Sequence, residues 1–150
     1  MNKSILIKPF EGVGDFTLKS SYKNTLAALK SEKINYTVEV WPNKGCTPEV
    51  AWKIVHIENS LNLFFAKDKL FKIYIDGTFN GTLPNGIKIG MTMSEAQCID
   101  SSLLYDDWNE DWSSENGYWL EDDIDSNTVM SITIFIRELL DDDVFDRYEW

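Results

Sequence analysis

Six stretches of this chain alternate apolar and polar residues with a period of two, and they constrain the fold more than any other feature. They lie at 36–41, 51–58, 61–67, 70–76, 118–122 and 128–136, and that period sends successive side chains to opposite faces of a strand. In the first, Tyr36, Val38 and Val40 share one face while Thr37, Glu39 and Trp41 take the other. In the last, Met130, Ile132, Ile134 and Ile136 oppose Val129, Ser131, Thr133 and Phe135. The gaps Glu58-Asn59-Ser60, Asp68-Lys69 and Asp123 to Asn127 are of hairpin length, so sequential runs should pair antiparallel.

Helical periodicity is confined to one clear stripe. Leu18, Tyr22, Leu26 and Leu29 recur at spacings of four, four and three, with Ser20 or Ser21 available as N-cap, which predicts a helix over 21–31. Thr92 followed by Glu95 forms a capping box for a short helix ending near Asp100. Weaker strand signals surround Ile5 and Ile7 and span 103–105, and glycine turns recur between Asp76 and Gly90. Leu140, Val144, Phe145 and Tyr148 suit a short terminal helix or a tail over 137–150. With 150 residues and no long linker, the expectation is a single domain over 1–150. Its class is α+β: an antiparallel β-rich sheet, meander or sandwich-like, with one main N-terminal helix and one or two short helices.

No apolar run approaches the ~18 residues of a membrane span, and Met1 to Pro9 lacks the apolar stretch of a signal peptide. Cys46 and Cys98 are expected as reduced thiols, which places the chain in the cytoplasm.

The net charge of −11 is divided unevenly. Residues 1–75 hold eleven lysines and seven acids, a net of +4, while residues 76–150 hold three basic residues and eighteen acids, a net of −15. Between Asp100 and Asp125 ten acids meet no lysine or arginine. Such a surface repels phosphate, so direct nucleic-acid binding and docking on anionic lipid are both disfavoured.

Catalytic equipment is sparse. The one histidine, His56, sits between Val55 and Ile57 in a strand pattern and reads as a structural residue. Cys46 follows Lys44-Gly45, without a second residue to make it a nucleophile. Phosphate-loop spacing is absent, and two cysteines with one histidine cannot supply four zinc ligands. Asp107 to Asp111 begins like a calcium loop, but Trp112 stands where glycine is required and Tyr118 where the bidentate glutamate belongs. The expectation is no enzyme activity, no cofactor and no metal.

What distinguishes the acidic stretch is its aromatic content: Tyr105, Trp108, Trp112, Tyr118 and Trp119 are interleaved with the acids. On a helix Tyr105, Trp108 and Trp112 share a stripe; on a loop they point outward; alternatively Trp108 and Trp112 plug the core beneath a loop. Exposed aromatics anchor interfaces, and carboxylates around them select a cationic partner. An acidic aromatic surface is the complement of a groove built to hold nucleic acid. The patch comprises Asp106, Asp107, Trp108, Glu110, Asp111, Trp112, Glu121, Asp122 and Asp123.

The run from Gly86-Ile87-Lys88-Ile89-Gly90-Met91-Thr92 through Gly117-Tyr118-Trp119-Leu120-Glu121-Asp122-Asp123 to Ser131-Ile132-Thr133-Ile134-Phe135-Ile136 resembles bacterial immunity proteins of polymorphic-toxin and contact-dependent growth inhibition systems. The resemblance implies a non-enzymatic inhibitor whose partner is a cognate basic toxin domain, an RNase or DNase. Two other readings remain open at this point: a hydrolase using carboxylates with a divalent ion, and a DNA mimic that binds a host nucleic-acid-binding protein.

Overall fold

The computed structural model describes residues 4–42, 50–58 and 60–150. Cys46 with its Lys44-Gly45 neighbours, and the Asn59 of the first predicted hairpin gap, lie outside these residues.

The period-two runs form one antiparallel sheet. Its strands are β4 (Tyr36–Trp41), β5 (Trp52–Ile57), β6 (Leu61–Ala66), β7 (Lys69–Asp76), β9 (Leu104–Asp106), β10 (Asp111–Ser114), β11 (Tyr118–Asp123) and β12 (Thr128–Phe135). They lie in the order β4-β5-β6-β7-β12-β11-β10-β9, so two meanders meet where β7 pairs with β12. A smaller sheet is built from β1 (Ile5–Lys8), β2 (Gly12–Val13), β3 (Phe16–Thr17) and β8 (Gly81–Thr82). There β1 pairs parallel with β8, a short departure from the expected antiparallel plan.

The main helix, α1 (Tyr22–Ser31), follows three short strands rather than opening the chain. Ser21 caps it, its side chain accepting from the Asn24 N–H at 3.2 Å. Backbone bonds from Lys19 to Leu70 and from Leu70 to Ser20 tie the start of the helix to the start of β7. The second helix, α2 (Met93–Ile99), begins at Thr92, whose hydroxyl accepts from the Glu95 N–H at 3.2 Å. Residues 137–140 make one 3-10 turn and α3 (Asp142–Phe145) follows.

One face of the large sheet carries the core. Val55, Leu63, Phe65, Ile73, Ile75, Ile132, Ile134 and Leu120 are buried there against Leu29 of α1, Ile7 and Val13 of the small sheet, and Leu83, Ile87, Met93 and Ala96. Phe145 and Trp150 cover the aromatic end of the opposite face, their ring centroids 5.1 and 6.0 Å from that of Phe71. The alternation expected for β12 is corrected at its start. A bulge opposite Glu121 and Asp122 inserts Met130 as an unpaired residue, which stays exposed while Val129 joins Ile132 and Ile134 in the core. No helix among the described residues is long and apolar enough to cross a membrane.

Candidate functional site

The acidic aromatic segment is neither a helix nor a loop but a hairpin. Asp111 to Ser114 form β10, a strand the alternation pattern does not reveal, with Trp112 opposite Tyr105 and Asp111 opposite Asp106. Because direct partners across a sheet share a face, Trp112, Tyr105 and Leu120 lie on the core side, whereas Asp106, Asp111 and Glu121 lie on the other. Trp112 is therefore no free anchor. Its ring meets Tyr105 edge-on at 5.2 Å, and its indole N–H donates to Asp122 Oδ1 at 3.3 Å.

Trp108 occupies the opposite situation. It stands at the tip of the β9–β10 hairpin and is 92% exposed. Asp106 fixes that tip: Oδ1 accepts from the Trp108 and Asn109 N–H groups at 2.9 and 3.3 Å, and Oδ2 accepts from the Asn109 side chain at 2.8 Å. These bonds hold the Asp106 carboxyl below its ordinary range. The β11–β12 turn repeats the device, with Asp123 Oδ1 accepting from Asp125 and Ser126 at 2.9 and 3.5 Å. Antiparallel order places both tips at one end of the sheet, and the second tip presents Ile124, 89% exposed. Asp107, Glu110 and Asp125 are exposed around the two apolar residues.

Below the tips the register brings carboxylates together. Asp106 faces Asp111, Glu121 faces Ser131, and Ser131 faces Asp76. Ser131 donates to Glu121 Oε1 at 2.9 Å. Asp111 Oδ1 is enclosed and has no hydrogen-bond partner. Burial first, then the charges of Asp106 and Glu121, push the Asp111 carboxyl up to about 6. Burial and Glu121 also raise Asp76, and burial pushes the Tyr74 hydroxyl up to about 12.

The nine patch residues are thus divided. Asp107, Trp108 and Glu110 occupy one tip; Asp106, Asp111, Glu121 and Asp123 follow on the outer side; Trp112 and Asp122 bond to each other on the core side. Ile124 and Asp125 join the surface without having been singled out in the sequence, because a lone isoleucine among acids carries no periodic signal.

Asp100 does not belong to the solvated acidic face. It is 5% exposed and accepts from Ser102 N and Oγ at 3.0 and 2.6 Å, from Asn116 Nδ2 at 3.1 Å, and from the Ser114 and Tyr118 hydroxyls. Burial alone raises such a carboxyl, but these donors outweigh it and hold Asp100 well below the usual carboxylate range. His56 stands in β5 between Glu39 and Asn62, its Nε2 3.0 Å from Glu39 Oε1. Among the described residues no three His, Cys, Asp or Glu side chains are grouped to hold a metal ion. Comparison with known protein families, curated proteins and solved structures found no match.

Proposed function

We propose that the chain is a non-enzymatic inhibitor of the immunity class, which binds a basic toxin domain in the cytoplasm, a nuclease, through the two-tip end of its large sheet. Trp108 carries this reading. A tryptophan 92% exposed makes no packing contribution to the fold, yet its turn is fixed by three hydrogen bonds, so little ordering cost remains when a partner covers it. Asp107, Glu110 and Asp125 around it supply the charge that a phosphate-binding groove attracts, and Ile124 adds a second apolar contact.

The division of labour follows from range. Carboxylates act before contact and are screened over ~8 Å at physiological salt, so they set the approach rate. Trp108 acts after contact and sets the lifetime of the complex. The test begins with a search beside this gene for one encoding a nuclease toxin domain; cells expressing that domain should be protected by this chain, and the purified chain should inhibit its nuclease activity. Trp108→Ala should weaken both, and Asp107→Asn with Glu110→Gln should slow association and flatten its salt dependence. Unchanged inhibition by the triple variant overturns the reading.

A further inference from the structure

At the end of the sheet away from the tips lies a cavity of about 520 Å³, between the turn at 115–117, the turn at 84–86 and the chain around Phe10. That volume is within the ~300–1,000 Å³ of small-molecule sites. Three independent features shape it.

Arg137 lies on the rim with its guanidinium 4.0 Å over the Phe10 ring. No carboxylate among the described residues is within ion-pair distance of it, and the adjacent Glu138 is bound to Lys19 at 2.5 Å. Among the described lysines and arginines only Lys19 pairs with a carboxylate, so what marks Arg137 is not its lack of a partner but its place on the cavity rim, where a planar fork is free to meet one.

Phe10 is held in place at a conformational cost. Its φ of 65° lies in the left-handed region, where a bulky side chain is an outlier. Its ring sits over Gly117, where a Cβ would approach the ring to 2.3 Å, and meets Phe135 edge-on at 5.9 Å. Backbone strain and a missing side chain both act to set this ring beneath the guanidinium.

The floor is the buried Tyr118, with the exposed amides of Asn85 and Asn116 at its edge. Tyr118, 1% exposed, donates to Asp100 and accepts from Asn85 Nδ2 at 3.1 Å, while Asn116 Nδ2 donates to Asp100 Oδ2 at 3.1 Å. Each amide group has a second N–H beyond these bonds.

We propose that this cavity binds a small monocarboxylate with a flat apolar body. The carboxylate pairs with the planar fork of Arg137, for which its geometry is matched, and takes further donors from Asn85 and Asn116. The body lies between Pro9, Phe10 and Pro84. Glu115, also on the rim, opposes a second negative charge and so favours a monoanion over phosphate.

Titration of the full chain with benzoate and, separately, inorganic phosphate tests this, read by two-dimensional NMR of the side-chain amides and by the thermal unfolding midpoint. Millimolar benzoate should shift the Asn85 and Asn116 amide signals saturably and raise the midpoint. Arg137→Gln should weaken benzoate by about ten-fold or more, the loss of a charge-assisted bidentate pair. Glu115→Gln should tighten it. The dispersion of the Arg137→Gln spectrum separates lost binding from lost fold, and Arg137→Lys, which keeps the charge without the fork, should fall between the two. Absence of a saturable benzoate response, or one that survives Arg137→Gln in folded protein, overturns the site. Phosphate binding as tight as benzoate overturns the monoanion assignment.

Discussion

Asp100 and Asp111 belong to the same acidic stretch, and their surroundings have opposite consequences. Asp100 is surrounded by the Ser102, Ser114, Asn116 and Tyr118 donors and ionises more readily than a free carboxyl. Asp111 has an enclosed oxygen without a partner and two carboxylates beside it, and it ionises less readily, near 6. Burial penalises both charges; what differs is the supply of donors around Asp100 and the neighbouring Asp106 and Glu121 carboxylates beside Asp111. Around Asp100 the buried carboxylate is fully satisfied and serves the fold. The end around Asp111 leaves charge and apolar surface unmatched, and the proposed cationic partner would gain most there.

The largest expected effect is at the satisfied end. Asp100→Ala strands the Tyr118 and Ser114 hydroxyls and the Asn116 amide, and should lower stability by roughly 3–5 kcal/mol in urea denaturation at neutral pH. The sign of the pH dependence follows from the depressed folded pKa. Stability from Asp100 is present above the unfolded carboxylate value near ~4 and is lost as pH falls through the lower folded value. The gap between wild type and Asp100→Ala should therefore narrow in strong acid, without closing, since the neutral carboxyl still accepts hydrogen bonds. A variant as stable as wild type would remove the contrast between the two ends.

The two tryptophans sharpen the comparison next. Trp112→Ala loses the Tyr105 contact and the bond to Asp122, and should cost about 2 kcal/mol of stability. Trp108→Ala should leave the unfolding free energy within about 0.5 kcal/mol of wild type, as surface substitutions do. In the proposed complex the order should reverse, with Trp108→Ala raising the dissociation rate and costing on the order of 2–4 kcal/mol. Equal stability losses from both would mean that Trp108 belongs to the fold after all.

The sequence makes the six alternating strands legible because each carries branched or aromatic residues at alternate positions, on a buried side in all but β4, whose Val38 and Val40 are exposed, and capping chemistry locates both Ser21 and Thr92. It hides β10 because the position facing the core beside Trp112 is Ser114, a polar residue buried through its bond to Asp100. The β6–β7 hairpin is legible from the spacing of its two runs, but its turn falls at Lys67 and Asp68, one residue before the expected Asp68-Lys69 gap, with both residues at positive φ, 47° and 66°, and no Asn-Gly pair to mark it. Pairing of β1 with β8 joins distant segments and leaves no local trace. Trp108 was legible as a candidate, but its separation from Trp112 was not, since a four-residue spacing suits one helical face as well as a hairpin tip and its strand. Asp100 was hidden among nine other acids, with only Ser102 two residues on as a hint of an Asx turn.

A smaller effect tests the unsatisfied end through pH. The folded pKa of Asp111, about 6, lies above the unfolded value near ~4, so the folded state takes up the proton first. Its contribution to stability is fully present below ~4 and is lost as pH rises through 6. Asp111→Asn removes the charge permanently and should stabilise the protein at pH ~8 by about 1 kcal/mol, after allowance for solvent screening. The gain should disappear at pH ~4. A loss of stability at high pH would mean that the carboxylate has a partner and that this end is as self-contained as the other.

The smallest expected effect lies at the far edge of the sheet, where His56 joins β4 to β6. The bond to Asn62 raises its pKa most, burial opposes it, and the bond and charge of Glu39 raise it again. A histidine whose folded value exceeds its unfolded ~6.5 adds stability that is present below 6.5 and lost as pH rises through the folded value. Both His56 and Glu39 are largely exposed, so this tie acts on the edge strand and leaves the global midpoint almost unmoved. Amide exchange resolves it, because β4 contributes little to the core and opens locally at lower cost than β6 or β7. Protection of the β4 amides, corrected for intrinsic exchange, should fall as pH rises above ~6.5 in wild type and stay flat in His56→Gln, while β7 amides show no change in either. A pH-dependent loss that persists in His56→Gln would place the titrating group elsewhere and leave the edge strand held by its backbone ladder alone.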